Sequence, residues 1–295
     1  MNTKIVTAFY SNIEGEPYHG QPYGIRHERF LHSLRVLNNT QHPISCYCSI
    51  SQKEELEKYI EDFGLLNVTL KVQEISEFEY TSDIQRIKQK TEQFKTYHEI
   101  DYGKLHLLRQ EYDDSYEYIY WIDVGISHFG LFPIKYNPNY HLATGMSADY
   151  NFYSYTNLFK PELISKLNEF VKDKLLSLSI SQMFYRSSEF IEKMNFDQIL
   201  QEHCIGGFIG GKTENIPWML DQFREISKKC FESDYIPNHE MVMTVIRYNN
   251  LERFNNFSFD TWYHRDIVVR EKAFNTQAIE GKVCFSDFFD QVLGI

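Results

Sequence analysis

The stretch from Tyr118 to Phe129 constrains the fold most. Its opening, Tyr118-Ile119-Tyr120-Trp121-Ile122, is aromatic and β-branched, and the turn-forming Asp113-Asp114-Ser115 precedes it, so it reads as a buried strand. The run delivers a single carboxylate, Asp123, at its end, and Gly125 follows. A strand apolar on both faces belongs inside a parallel sheet covered by helices. An acid at its carboxyl end lies where open α/β sheets bind ligands. The structural alternative is an Asp that ends a strand and opens a turn. One acid leaves both open.

The chain around this strand alternates. Ile5 to Tyr10 reads as a first strand, followed by a Gly-, Pro- and Tyr-rich loop from Ser11 to Gly24. Arg26 to Asn38 has helical periodicity, with Phe30, Leu31, Leu34 and Leu37 on one face. Arg26 and Arg29 lie on its first turn, where a guanidinium either grips a diphosphate or makes a surface ion pair. Pro43 to Ile50 and Leu66 to Val72 read as strands, and Gln52 to Phe63 between them as a helix with Leu56, Tyr59, Ile60 and Phe63 inward. The strand–helix–strand–helix–strand order implies right-handed parallel crossovers and a doubly wound sheet. Ser82 to Ile100 reads as a solvated helix, Tyr102 to Arg109 as a helix feeding the Tyr118 strand, and Pro161 to Leu178 as one amphipathic helix.

A second informative stretch is Glu202-His203-Cys204-Ile205-Gly206-Gly207-Phe208-Ile209-Gly210-Gly211-Lys212. Two glycine pairs in a β-like run mean that the strand bends or that something approaches its backbone closely. The order Gly-Gly-x-x-Gly-Gly is not a dinucleotide fingerprint. Asp234 to Ile246 then opens a helix with Asn238 as its N-cap and Glu240 in its first turn. An acid there stays ionised, which suits a base or a hydroxyl-orienting carboxylate as well as simple dipole stabilisation.

Charge narrows the function. A formal net charge of −11, with no basic stripe, argues against nucleic acid as a partner. The 5 cysteines, Cys46, Cys48, Cys204, Cys230 and Cys284, lack metal-type paired spacing and read as buried thiols. No signal-peptide pattern is present, and no segment approaches the roughly 18 apolar residues of a membrane span. A cytoplasmic protein is expected, with peripheral docking at the inner face of a membrane open. Residues 1–295 show no repeat or long linker and are expected to form a single domain.

The segment Tyr120-Trp121-Ile122-Asp123-Val124-Gly125-Ile126-Ser127-His128 resembles the aromatic-Trp-Ile-Asp-x-Gly-Ile-x-His segment of the HtrL/YibB-like family of bacterial glycosyltransferase-like proteins. More loosely it is similar to the strand-plus-Asp-x-Asp motif of GT-A nucleotide-sugar transferases, with Gly125 where the second Asp stands. The resemblance implies a GT-A-like, Rossmann-related, mostly parallel open sheet flanked by helices. It implies a nucleotide-sugar donor, a glycan or lipid-linked acceptor, and a divalent metal (Mn or Mg) or a metal-free equivalent. By the same resemblance Phe9 and Tyr10 lie by the nucleobase, Lys104 and Arg26 by the diphosphate, and Asp123 by the ribose or metal. Gly206, Gly207 and His203 lie by the sugar, Glu240 by the acceptor or its proton, and His264 by the metal. Outside the resemblance, Asp149 is a further candidate metal ligand by its proximity in sequence alone. Core packing is the alternative for Phe9 and Tyr10, and a bent structural strand for the glycines.

These readings converge on a glycosyltransferase, most readily UDP-sugar-dependent, of the kind that builds bacterial surface polysaccharide. The missing second Asp leaves a non-catalytic sugar-nucleotide or glycan-binding relative as the alternative. A hydrolase or nucleotidyltransferase on a similar sheet lacks a nucleophile motif such as Gly-x-Ser-x-Gly.

Overall fold

The structure, a computed structural model, describes residues 2–10, 23–91, 98–124, 161–181, 202–260, 283, 287–288 and 292. In the first half of the chain the strands β1 (Thr3–Phe9), β2 (Ile44–Cys48), β3 (Val68–Val72) and β4 (Tyr118–Ile122) all run parallel. Helices α1 (Tyr23–Asn38), α2 (Ile50–Asp62), α3 (Thr81–Thr91) and α4 (His98–Gln110) lie between them in sequence. The second half supplies α5 (Pro161–Val171), β5 (Leu175–Ser181), β6 (Glu202–Cys204), β7 (Phe208–Lys212), α6 (Ile216–Glu232), α7 (His239–Tyr248) and β8 (Phe254–Phe259).

One sheet joins these strands in the order β3-β2-β1-β4-β7-β5, with β6 and β8 also paired to β5. Its two reversed strands are β6 and β7, which are antiparallel to their neighbours. The fold is therefore α/β, with a mostly parallel central sheet flanked by helices. Alternate side chains send two apolar layers to opposite faces. Ile5, Ile44, Tyr120, Leu176 and Phe257 pack against α1 and α5, and Phe9, Cys46 and Cys48 against α1 and α2. Val6, Tyr47, Ile119, Trp121 and Ile209 pack on the other face with α3, α4, α6 and α7. Cys46 and Cys48 share a face, as the spacing predicts, and burial pushes both thiols up, so they pack as small apolar groups.

Three expectations change. The helix predicted over Pro161 to Leu178 ends at Val171, and Leu175 to Ser181 is a strand instead. Lys172 takes a left-handed conformation (φ 57°), which stops the helix, and Leu-Leu-Ser-Leu-Ser-Ile-Ser then follows the period of two that a strand needs. The helical region predicted over Ser82 to Ile100 contains the end of α3 at Thr91 and the start of α4 at His98. Phe63, expected inward, is 48% exposed at the end of α2. Among the described residues no helix is long and apolar enough to cross a membrane.

Candidate active site

The site forms where the sheet changes from parallel to antiparallel. Leu175 and Leu176 of β5 pair with Gly211 and Gly210, whereas Ser179 pairs with Cys204. Ser177 and Leu178 therefore face the longer run from Ile205 to Ile209, and the extra residues bulge out of the ladder. Gly206 and Gly207 are the centre of this bulge. It sits beside the end of β4, because the Asp123 N–H donates to the Gly207 carbonyl (2.9 Å) one step beyond the Ile122–Phe208 pair.

Helix α7 presses on the bulge from one side. Asn238 caps it by accepting from the Glu240 N–H (2.8 Å), which places Glu240 in the first turn. Glu240 then reaches back to β6. Its Oε1 accepts from the Gly206 N–H (2.7 Å), and its Oε2 meets His203 Nε2 (3.0 Å). Burial alone would raise the Glu240 pKa. The His203 hydrogen bond, the neighbouring imidazoles and the Gly206 N–H outweigh it and hold the carboxyl at about 2. His239 lies directly against Gly206, where a Cβ would overlap the ring Nε2. This is the close approach that the glycine pair predicts. His239 is 3% exposed, and neither ring nitrogen has a hydrogen-bond partner among the described residues. Burial and the Lys104 charge lower its pKa to about 3, so the ring is neutral.

Helix α4 supplies the cation. Lys104 is 7% exposed, and its ammonium lies 3.1 Å from Asp123 Oδ2, 3.6 Å from Asp101 Oδ1 and 3.5 Å from the Gly206 carbonyl. The Trp121 indole N–H donates to Asp123 Oδ1 (2.7 Å) and orients the carboxylate. Asp101 stands one turn before Lys104, and its Oδ2 is 3.6 Å from His239 Nδ1. Burial raises its pKa most, and Glu240 and Asp123 add to that against the pull of Lys104, giving about 7.

The structure thus brings Asp123, Lys104, Gly206, Gly207, His203 and Glu240 together. It places Phe9 elsewhere, fully buried and edge-on to His27 and Phe30, and Tyr10 in the core with its hydroxyl donating to the Gln73 carbonyl (2.8 Å). The Arg26 side chain, Gly125, Asp149 and His264 lie outside the described residues. Sequence reasoning did not single out His239, and it missed Asp101. Its spacing to Lys104, three residues on one helix, was the available signal.

The described residues do not fit a divalent metal. Among them no group of three His, Cys, Asp or Glu side chains converges, and Asp123 already carries an ammonium on one oxygen and an indole N–H on the other.

No protein-family model matches the sequence, and no curated protein does. Among solved structures, the chain is similar to the apo form of mouse xyloside xylosyltransferase 1, at 10% identity over 99% of this chain and 94% of that one, with a TM-score of 0.45. It is also similar to the PaToxG glycosyltransferase, at 13% identity over 100% of this chain and 79% of that one, with a TM-score of 0.37.

Proposed function

We propose that the protein is a GT-A-like glycosyltransferase that moves a sugar from a nucleoside-diphosphate donor, UDP-linked in the simplest case, to a glycan or lipid-linked acceptor. One observation carries the reading. A buried lysine is held between Asp123 and Asp101 against the Gly206 carbonyl, at the end of the strand whose sequence resembles a transferase motif.

The chemistry needs charge stabilisation where the donor's bond to diphosphate breaks. A compact ammonium in a water-poor site stabilises the departing diphosphate without reorganising. In this reading Asp123, oriented by the Trp121 N–H, accepts from a ribose hydroxyl. The Gly206-Gly207 bulge offers backbone to the sugar without side-chain interference. Glu240 pins that bulge and presents an ionised carboxylate to the acceptor. A role in bacterial surface polysaccharide is part of the same proposal and follows from the family resemblance alone.

The test is thermal stabilisation by a panel of nucleoside diphosphates, with and without manganese, on the wild type and on Asp123→Ala. A ligand that binds only the native state raises the melting temperature by mass action. A rise for one nucleotide that Asp123→Ala abolishes supports the donor site. Independence from manganese supports the lysine-based version, and a manganese requirement brings a metal back. No rise with any nucleotide sinks the donor site and favours a glycan-binding relative.

A further inference from the structure

Asp101 has no work in the transfer as drawn above, yet it lies in the first turn of α4, next to the cation of the site. The other two carboxylates already have close donors. Asp123 accepts from Trp121 and Lys104, and Glu240 is tied to Gly206 and His203. Asp101 makes only long contacts among the described residues, at 3.6 Å to Lys104 and 3.6 Å to His239 Nδ1, and its side chain is 30% exposed. His239, buried and without a hydrogen-bond partner, is aimed at this carboxyl and at Gly206. A buried polar ring without a partner costs free energy unless a ligand or a moving proton uses it.

We propose that Asp101 accepts the proton of the acceptor hydroxyl during glycosyl transfer, with Lys104 and His239 positioning its carboxyl. The inference rests on the glycosyl-transfer reading of the same site. In the step, the acceptor oxygen forms a bond to the anomeric carbon while its O–H proton passes to an Asp101 oxygen. The bond from the anomeric carbon to the diphosphate oxygen breaks, and its electron pair leaves on the diphosphate beside Lys104. Nothing is oxidised or reduced. Asp101 then returns its proton to solvent.

The electrostatics agree with this assignment. The groups that act on Asp101 are Lys104 on its own helix, Asp123 after β4, and His239 and Glu240 on α7, and His98 and His203 act in turn on His239. Lys104 is the positive charge that lowers its proton affinity, and the carboxylates raise it. A base works best when its pKa lies near the working pH, and Asp101 at about 7 meets that condition where Glu240 at about 2 does not. An incoming diphosphate competes for Lys104 and draws it from Asp101, so donor binding strengthens the base.

The experiment compares wild type, Asp101→Asn and Asp101→Glu in two readouts. One is the melting-temperature rise with UDP, GDP, dTDP and ADP. The other is nucleotide release from the matching diphosphate-sugars, with water as acceptor, between about pH 5 and 9. Asp101→Asn is expected to keep the nucleotide-induced rise, to lose about 10²- to 10⁴-fold in release, and to lose the rising limb of the pH profile. Asp101→Glu is expected to recover part of the rate. An Asp101→Asn enzyme with the wild-type rate and limb overturns the assignment and leaves the transferase reading standing. A wild type with neither rise nor release overturns both. If Asp101→Asn does not melt cooperatively, Asp101→Glu decides: a displaced limb supports the assignment and an unmoved one overturns it.

Discussion

Helix α4 carries a charged cluster near each end, and the two are built differently. Glu111, just beyond its last turn, has a side chain only 2% exposed and accepts from Lys4 (2.6 Å), Lys71, the Tyr47 hydroxyl and Ser45 (3.0 Å). Burial would raise its pKa, but these donors outweigh it and hold it at about 2. The donors come from β1, β2 and β3, so the cluster clasps three strands to one helix end. At the other end Lys104 is spread over Asp123, Asp101 and a carbonyl at 3.1–3.6 Å, and neither His239 ring nitrogen has a hydrogen-bond partner among the described residues. A buried charge with close, complementary donors rigidifies a fold, whereas one with long contacts beside an orphaned polar ring is poised to take a ligand. The comparison separates scaffold from candidate site on one helix.

The sharpest way to break it is Lys104→Met. If the amino-terminal cluster is the site, nucleotide release should fall by about 10²- to 10³-fold, the size of losing one preorganised charge donor. The nucleotide-induced rise in melting temperature should vanish with it. A variant that still turns over at a tenth of the wild-type rate or better would put the cation elsewhere.

The mirror experiment is Glu111→Ala, which strands two lysines and two buried hydroxyls. Its cost should be about 3 kcal/mol of stability, at the low end for breaking a buried pair because the lysines are partly exposed. Nucleotide binding should survive. Because the Glu111 pKa falls from 4.5 to about 2 on folding, its contribution is present above about 4.5 and lost as the pH falls through about 2. The gap between wild type and variant in acid melts should close over that window. A gap independent of pH would mean that the clasp is not ionic.

Gly206→Ala tests the contact between bulge and helix. The added methyl overlaps His239, and forcing room for it should cost about 1–3 kcal/mol. Removing the ring with His239→Ala first should make the same methyl nearly neutral. Additive losses in the double-mutant cycle would show that the bulge has room of its own.

Much of this was legible in residues. The apolar strands up to Tyr118–Ile122, the buried Cys46 and Cys48, the Asn238 cap and the bend at Gly206-Gly207 follow from period, propensity and cap chemistry. The resemblance around Trp121 pointed to Asp123 and Lys104, which the structure brings to 3.1 Å. Two features were hidden for physical reasons. The end of α5 depends on Lys172 adopting φ 57°, a conformation that Gly or Asn would have signalled and Lys does not. The Leu-Leu-Ser-Leu that follows satisfies a helical spacing and an alternating one equally, so only the stop decides. Asp101 was hidden because its importance comes from His239, 138 positions along (239 − 101), and no local pattern links the two.

The smallest expected effect tests whether the two ends of α4 respond to pH in opposite senses. The Asp101 pKa rises from 3.8 to about 7 on folding. The protonated carboxyl therefore favours the native state, fully below about 3.8, and that contribution is lost as the pH rises through about 7. Asparagine cannot ionise, so Asp101→Asn should gain stability relative to wild type as the pH climbs between these values, and then level off. Glu111 runs the other way, gaining as the pH rises from about 2 to 4.5. Melting both variants and the wild type across the acid and neutral range should yield two difference curves of opposite slope in adjoining windows. If the Asp101→Asn curve is flat, the carboxyl titrates as an ordinary surface acid, and the contrast between the two ends of the helix rests on geometry alone.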